Sequence, residues 1–246
     1  MELNEKSFIS ELNRVFSLNG LGKYLNQEVS EKFYSLTVRM LEENEKYNLT
    51  AIKEPDKIIL NHYADCAVMA KKLHTGASII DIGCGAGFPT LPLAIIRSDL
   101  SILAVDSTAK RVNYVAESAR LLGLDNVRCE VMRAEDGGKN PELREKFDYA
   151  TARAVAEMRI LTELCLPFVK VGGEMVAMKG KSAEYELKDA KRAIATLGGA
   201  DVKIEAVTLT NGKDEPLTHP LISIKKKMKT PAAYPRVYAQ ISKKPL

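Results

Sequence analysis

Residues Ser78-Ile79-Ile80-Asp81-Ile82-Gly83-Cys84-Gly85-Ala86-Gly87-Phe88 hold an apolar run that ends in Asp-x-Gly-x-Gly-x-Gly. Such a run reads as a strand entering a tight turn ahead of a helix. Glycines in that turn let the backbone approach a ligand where a side chain would collide. A second apolar run ends at Asp106, 19 residues after Gly87. At that distance the second strand of such a fold presents a carboxylate to ribose hydroxyls. The two features together point to a nucleoside-cofactor site.

The glycine spacing narrows the cofactor. Dinucleotide turns carry G-x-G-x-x-G, but the third glycine would fall at Phe88 counting from Gly83, or at Thr90 counting from Gly85. Pyrophosphate also needs bare backbone N–H groups at a helix N-terminus. A ligand with a sulfonium and an amino-acid tail has no phosphate and tolerates an acid such as Asp81 beside the turn. S-adenosylmethionine (AdoMet) meets that description, and the turn resembles the first motif of the class I methyltransferases.

Bulk properties set the frame. The 246 residues are 28% charged and 46% hydrophobic, ordinary for a globular protein. No apolar run approaches the ~20 residues needed to span a bilayer. The start, Met1-Glu2-Leu3-Asn4-Glu5-Lys6, lacks the basic and apolar stretches of a secretory signal, so a cytoplasmic protein without membrane attachment is expected. Cys66, Cys84, Cys129 and Cys165 lie far apart with no C-x-x-C, which predicts reduced thiols and no metal site. Net charge is +4, yet Lys225, Lys226, Lys227, Lys229, Arg236, Lys243 and Lys244 fall in the last 22 residues without an acid, leaving the rest near −3. A basic end on a near-neutral body fits a polyanionic partner or a solvated tail.

The hydrophobic period divides the chain. Residues 1–74 read as a helical extension, with one face built from Phe8, Ile9, Leu12, Val15 and Phe16. A second face carries Val29, Phe33, Leu36 and Met40, and a third Ile58, Ile59, His62, Cys66 and Met69. From residue 75 short β-rich runs alternate with helical stretches, which predicts a parallel sheet with helices on both faces. Strands are expected near 78–82, 102–106, 127–132, 147–152, 173–178, 202–209 and 220–226. The last two are joined by Asn211-Gly212-Lys213-Asp214-Glu215-Pro216, a hairpin connection at one sheet edge. The expected fold is therefore α/β, a Rossmann-like seven-stranded sheet with its last strand antiparallel, of the class I AdoMet-dependent methyltransferase type. It carries an N-terminal helical cap (1–74), a catalytic domain (75–228) and a basic C-terminal tail (229–246).

Candidate cofactor residues cluster at the carboxyl ends of the strands. Gly83, Gly85 and Gly87 would underlie the methionine part, Asp81 would accept from its ammonium, and Phe88 would pack beside it. Asp106 suits the ribose, and Ala134 with Glu135 the adenine edge. The fourth strand discriminates among acceptors. It reads Phe147-Asp148-Tyr149-Ala150-Thr151-Ala152-Arg153-Ala154, with no Asn/Asp-Pro-Pro-Tyr for exocyclic amines and no cysteine after proline for covalent attack. The accepting atom then owns a lone pair already, as guanine N7 does. Catalysis becomes in-line positioning, with Arg153 holding cofactor or guanine and no general base.

The chain resembles the bacterial 16S rRNA (guanine-N7)-methyltransferase family, also called glucose-inhibited division protein B. The resemblance is carried by Lys46-Tyr47-Asn48-Leu49-Thr50, His62-Tyr63-Ala64-Asp65-Cys66, the Asp81–Pro89 segment, Asp106-Ser107 with Lys110-Arg111, Arg133-Ala134-Glu135, Thr151-Ala152-Arg153-Ala154 and Met178-Lys179-Gly180. Tyr234-Pro235-Arg236 and Lys244-Pro245-Leu246 resemble the tail of Gram-positive-type members. The resemblance implies AdoMet-dependent formation of N7-methylguanine in the 530 loop (the G527-type position) of 16S rRNA. It also implies AdoMet contacts at Gly83, Phe88, Ala134, Glu135 and Arg153. The family usually has Ser where Cys66 stands, and relatives often carry a more basic, glycine-containing stretch where this tail reads Arg236-Val237-Tyr238-Ala239-Gln240.

RNA contacts are expected at Lys110, Arg111, Lys179, Lys181 and Arg236, with Tyr234 and Tyr238 available for stacking. His62 and Asp65 either line the substrate mouth or, as the favoured reading, brace the cap against the catalytic domain. The expected partner is 16S rRNA or the 30S subunit, met by a monomer. The alternatives are an AdoMet enzyme acting on another RNA, a small molecule or a protein, or an assembly factor without catalysis.

Overall fold

The computed structural model describes residues 3–180 and 182–246; Met1, Glu2 and Lys181 lie outside the described residues. Helix α1 (Glu5–Leu18) begins where the Asn4 side chain accepts from the Ser7 N–H, and it buries Phe8, Leu12, Val15 and Phe16 at helical spacing. Helix α2 (Gln27–Tyr47) is capped by Asn26, whose Oδ1 accepts from the Val29 N–H at 2.9 Å, and it stops at Asn48 in the left-handed region. The third amphipathic stretch is not one regular helix. It runs as α3 (Pro55–Ile58), a π-helical turn over Ile59–Ala64, and α4 (Asp65–Met69). A π turn takes up an extra residue and rotates the next turn of helix about its axis, a feature common at functional sites. Here it carries His62.

The remaining elements are β1 (Ser78–Ile82), α5 (Thr90–Ile96), β2 (Ser101–Asp106), α6 (Ala109–Leu121), β3 (Val127–Val131), α7 (Ala134–Gly137), β4 (Phe147–Arg153), α8 (Met158–Cys165), β5 (Val169–Met178), α9 (Ala183–Thr196), β6 (Gly199–Leu209), β7 (Leu217–Lys226) and α10 (Tyr238–Lys243). The sheet order is β3-β2-β1-β4-β5-β7-β6, with β7 antiparallel to both neighbours. The hairpin thus folds inward, placing β7 inside and β6 at the edge. From β1 the chain winds outward through β2 and β3, then returns to the other side of β1 as β4. That reversal opens a crevice at the carboxyl ends of β1 and β4.

Strand alternation builds two cores. Ile79, Ile102 and Ala104 face one way, with α1, α2, α5 and α6; Ile80, Ile82, Leu103 and Val105 face the other, with α8, α9 and α10. The cap belongs to the first core: Phe8, Phe16, Phe33 and Tyr63 are fully buried in one cluster with Ile79. Two polar clasps tie α1 to the β6–β7 loop. Asn19 exchanges bonds with both the N–H and C=O of Thr210. Glu11 pairs with Arg14 and Lys213, whose bonds hold its carboxyl down to about 2.

The C-terminal segment is not a free basic tail. Arg144 donates to the carbonyls of Thr230 and Tyr234 at 2.6 and 2.8 Å. Lys226 is fully buried, donating to Leu166 O at 2.6 Å and to Thr230 Oγ1. Arg236 clasps Glu163, and Ile241 is fully buried in the second core. Lys225 and Lys227 pair with Glu174 and Asp201. Of the seven basic residues from Lys225 onward, Lys229, Lys243 and Lys244 stand exposed without such a pairing among the described residues. Charge composition overstated the tail's freedom because burial and pairing are not visible in composition.

Candidate active site

The turn after β1 is fastened to β2. The N–H groups of Gly83 and Cys84 both donate to Val105 O, at 2.8 and 3.0 Å. Gly83 and Gly87 have φ of +71° and +85°, and a Cβ on either would meet Val155 at 2.8 Å or Leu91 at 2.5 Å. Asp106, at the end of β2 and 6% exposed, secures the same turn: its Oδ2 accepts from the Gly85 N–H at 3.2 Å and its Oδ1 from the Thr108 N–H at 2.9 Å. Arg111 stands 3.7 Å from Oδ2.

Two adjoining clefts flank this turn and share Gly83, Arg111 and Ala154. One, of about 350 Å³, is lined by Asp106, Ser107, Ala134, Glu135, Leu164 and Tyr238, among others. The other, of about 250 Å³, is lined by Thr50, His62, Gly85, Phe88 and Arg153, among others. A third, of about 360 Å³, lies beyond Arg153 between Asn61, Asp65, Lys179 and His219. Ala154 lines all three, and it is one of few non-glycine residues with positive φ, +55°. A backbone held there costs of order 1 kcal/mol and marks a position fixed by its surroundings. The structure thus brings together Gly83, Gly85, Phe88, Asp106, Ala134, Glu135 and Arg153 around one crevice.

Asp81 sits below that crevice rather than in it. It is fully buried, with Oδ2 accepting from Thr90 Oγ1 at 2.6 Å and Oδ1 unpartnered. Burial pushes its carboxyl up to about 7, against the pull of the Thr90 bond. An unpartnered acceptor under a glycine turn, a carboxylate at the ribose position and a second carboxylate on α7 fit a ligand with an ammonium and a nucleoside. The Asp81 pKa also sets a sign. Folded Asp81 holds its proton more tightly than its ordinary value of 3.8. Asp81's own contribution to stability is therefore lost as pH rises from about 4 to 7, then levels off. Asp81→Asn escapes this, at the expense of an amide NH₂ without an acceptor. It is expected to gain about 1–3 kcal/mol over wild type at pH 8, shrinking toward pH 4, while binding AdoMet more weakly. Denaturant melts at the two pH values check it; an advantage that is larger at low pH contradicts it.

Arg153 is the hub of the crevice. Its Nη2 donates to Asn61 O at 2.8 Å and to His62 Nδ1 at 3.3 Å, and it lies 3.5 Å from Asp65 Oδ2. Its Nη1 lies 3.6 Å from Cys66 Sγ. Burial pushes that thiol up to about 12, so it stays neutral. Because arginine can only donate, His62 Nδ1 is the acceptor and Nε2–H donates to Thr50 Oγ1 at 3.0 Å. Burial, and Arg153 beside it, push His62 down to about 3, which keeps the ring neutral. The ring stacks on Phe88, with centroids 4.3 Å apart. Asp65 also bonds His219 on β7; burial disfavours that imidazolium, but the Asp65 bond outweighs it and raises its pKa. His62 and Asp65 therefore brace the cap against β4 and β7, while His62 also faces a cleft.

Two residues expected at an RNA surface are held by partners inside the protein. Lys179 donates to Ala156 O at 2.8 Å and pairs with Glu186 at 2.7 Å, with its side chain 11% exposed. Arg236 gives its Nε and Nη2 to Glu163, at 2.9 and 2.6 Å, and its Nη1 to Lys244 O. Both charges are spent inside the protein. Lys110 and Arg111 stand exposed at the start of α6, beside Asp106. Sequence reasoning missed His219, and it met Thr50 and Ala154 only inside motifs, with no role of their own. His219 lies 154 residues from Asp65 with no motif to join them, and nothing in an alanine's identity foretells a positive φ.

Comparison with known proteins decides among the readings of this crevice. A family model described as rRNA small subunit methyltransferase G matches residues 29–215. This chain belongs to that family. A Clostridium perfringens protein named ribosomal RNA small subunit methyltransferase G is 43% identical, over 93% of this chain and 95% of its own. A Lactobacillus johnsonii protein of the same name is 40% identical, over 99% of this chain and all of its own. Among solved structures, a precorrin-6y C5,15-methyltransferase from Geobacter metallireducens superposes with a TM-score of 0.53 at 14% identity, covering 75% of this chain and 96% of that one. A SAM-dependent O-methyltransferase from Thermotoga maritima gives 0.51 at 16%, covering 78% and 72%. These neighbours share the fold. The family member is an AdoMet-dependent methyltransferase, and no helix among its described residues is long and apolar enough to cross a membrane.

Proposed function

We propose that this protein transfers a methyl group from AdoMet to N7 of a guanine in the 530 loop of 16S rRNA, working as a cytoplasmic monomer on the 30S subunit or a precursor of it. One observation carries the choice of acceptor. Where β4 ends and the three clefts meet, the chain presents Arg153 and Ala154, and among the described residues no side chain stands free to deprotonate a base or add to it. His62 is bonded at both nitrogens, Asp65 is held by Arg153 and His219, and Cys165 is fully buried on α8. An acceptor that must first lose a proton is poorly served here. Guanine N7 brings its own lone pair and needs only alignment.

AdoMet, when bound, supplies an electrophilic methyl on a sulfonium. The chain's own residues divide the remaining work. Gly83, Gly85 and Gly87 let the backbone close under the amino-acid part, with Asp81 beneath. Asp106 would accept from the ribose, Ala134 and Glu135 would meet the adenine edge, and Phe88 and Arg153 would wall the reacting end. Lys110 and Arg111 would meet phosphate near the mouth. In this division residues 1–74 form the wall that carries His62, and 75–228 the catalytic sheet.

RNA transcribed with 7-deazaguanosine tests the acceptor atom. Labelled methyl is expected to pass from AdoMet to ordinary 16S rRNA in 30S particles and to fall to background on the deaza form, which lacks N7. Equal transfer to both would overturn the N7 assignment while leaving an rRNA acceptor intact.

A further inference from the structure

We propose that the C-terminal segment is part of the cofactor site, with Tyr238 as the aromatic wall for the adenine of AdoMet. The inference rests on AdoMet binding in this crevice and not on the RNA acceptor.

Three observations carry it. Tyr238 lines the 350 Å³ cleft together with Asp106, Ala134, Glu135 and Leu164. Asp106 occupies the end suited to a ribose, so the purine falls toward Glu135, where Leu164 and Tyr238 supply apolar cover. A purine is flat and gains from an aromatic face laid against it. Second, the chain on both sides of the ring is held, although the ring itself is 42% exposed. Two residues before it, Arg236 makes three bonds to Glu163, through its backbone N–H, Nε and Nη2, at 2.8, 2.9 and 2.6 Å. Glu163 is fully buried and immediately precedes Leu164. Three residues after the ring, Ile241 is fully buried in the second core. One clasp therefore positions both cleft residues: Leu164 from α8 and Tyr238 from α10. Third, the basic residue nearest the ring in sequence, Arg236, is paired with Glu163 rather than free for RNA, although Lys229, Lys243 and Lys244 stay exposed. The family model's match ends at residue 215, so this wall lies outside the matched stretch.

The arrangement changes how a truncation is read. Removing residues 229–246 takes away Tyr238 and Ile241 together, so lost activity in that variant does not implicate RNA.

Calorimetric titration of the full-length protein with AdoMet and with S-adenosylhomocysteine tests the proposal directly. Tyr238→Ala is expected to weaken both about five- to tenfold, with Tyr238→Phe within about twofold of wild type. Affinity for a 16S rRNA fragment is expected to stay unchanged in both. Arg236→Gln, a positioning variant, is expected to weaken AdoMet in the same direction, with fold checked by circular dichroism. Tyr238→Leu keeps the bulk without the aromatic face. It is expected to bind AdoMet more weakly than Tyr238→Phe even if the alanine variant fails to fold. Tyr238→Ala or Tyr238→Leu binding AdoMet as tightly as wild type would overturn the proposal. So would a loss confined to RNA affinity. Failure of the wild type itself to bind AdoMet would instead strike the cofactor assignment.

Discussion

Arg153→Ala is expected to lower methyl transfer to RNA at least about 100-fold while AdoMet affinity falls far less. The asymmetry arises from what the guanidinium touches. It joins Asn61 O, His62 and Asp65 on the cap to the end of β4, and it lies 6.0 Å from the Phe88 ring centroid. Its removal frees the cap wall from the sheet at the junction of the clefts. A misplacement of about 1 Å there costs on the order of 100-fold, because alignment is the main device this site has. Arg153→Lys is expected to recover little. A lysine carries three donors but lacks the planar guanidinium that lies by the Phe88 ring and reaches Cys66 Sγ through Nη1 while Nη2 holds the cap. Single-turnover transfer with labelled AdoMet, beside calorimetric AdoMet binding, separates the two effects. Near-full activity in the lysine variant would show that charge alone matters, and would contradict a bridging role.

Asp106→Ala is expected to weaken AdoMet binding about 10–100-fold. Two losses combine. The ribose hydroxyls lose an ionised acceptor, and the glycine turn loses the carboxylate that receives the Gly85 and Thr108 N–H groups. Asp106→Asn keeps an oxygen for one of these donors and is expected to fall between the two. Equilibrium binding checks this without RNA. An alanine variant that binds AdoMet like the wild type would remove Asp106 from the site.

The strands were the most legible part of this chain. β1 falls where the apolar run before the glycines placed it, and Asp106 ends β2, because a buried parallel sheet writes itself as continuous apolar runs. β5 and β6 extend further back than their apolar cores, through Gly172 and Gly199, where composition looks like a turn. The irregular third helix was not legible. Ile58, Ile59, His62, Cys66 and Met69 satisfy helical spacing almost as well as they satisfy a π turn, and the choice is made by what Arg153 and Asp65 bind. The cofactor turn was legible because glycine reports a backbone requirement locally. The brace built from Asp65, His219, Arg153 and Thr50 was not, because each partner comes from a different element. The last 22 residues misled most. A sequence counts Lys226 and Arg236 as free cations, whereas Glu145 and Glu163 claim them.

The most direct test of the central claim maps the product. Unmodified 30S subunits are incubated with purified protein and AdoMet, and 16S rRNA is then reduced and cleaved at N7-methylguanine. The expected result is a single strong cleavage in the 530 loop, absent without AdoMet and absent with the Arg153→Ala variant. Transfer without cleavage, or no transfer by a protein that binds AdoMet, would contradict guanine N7 of the small-subunit rRNA as the acceptor.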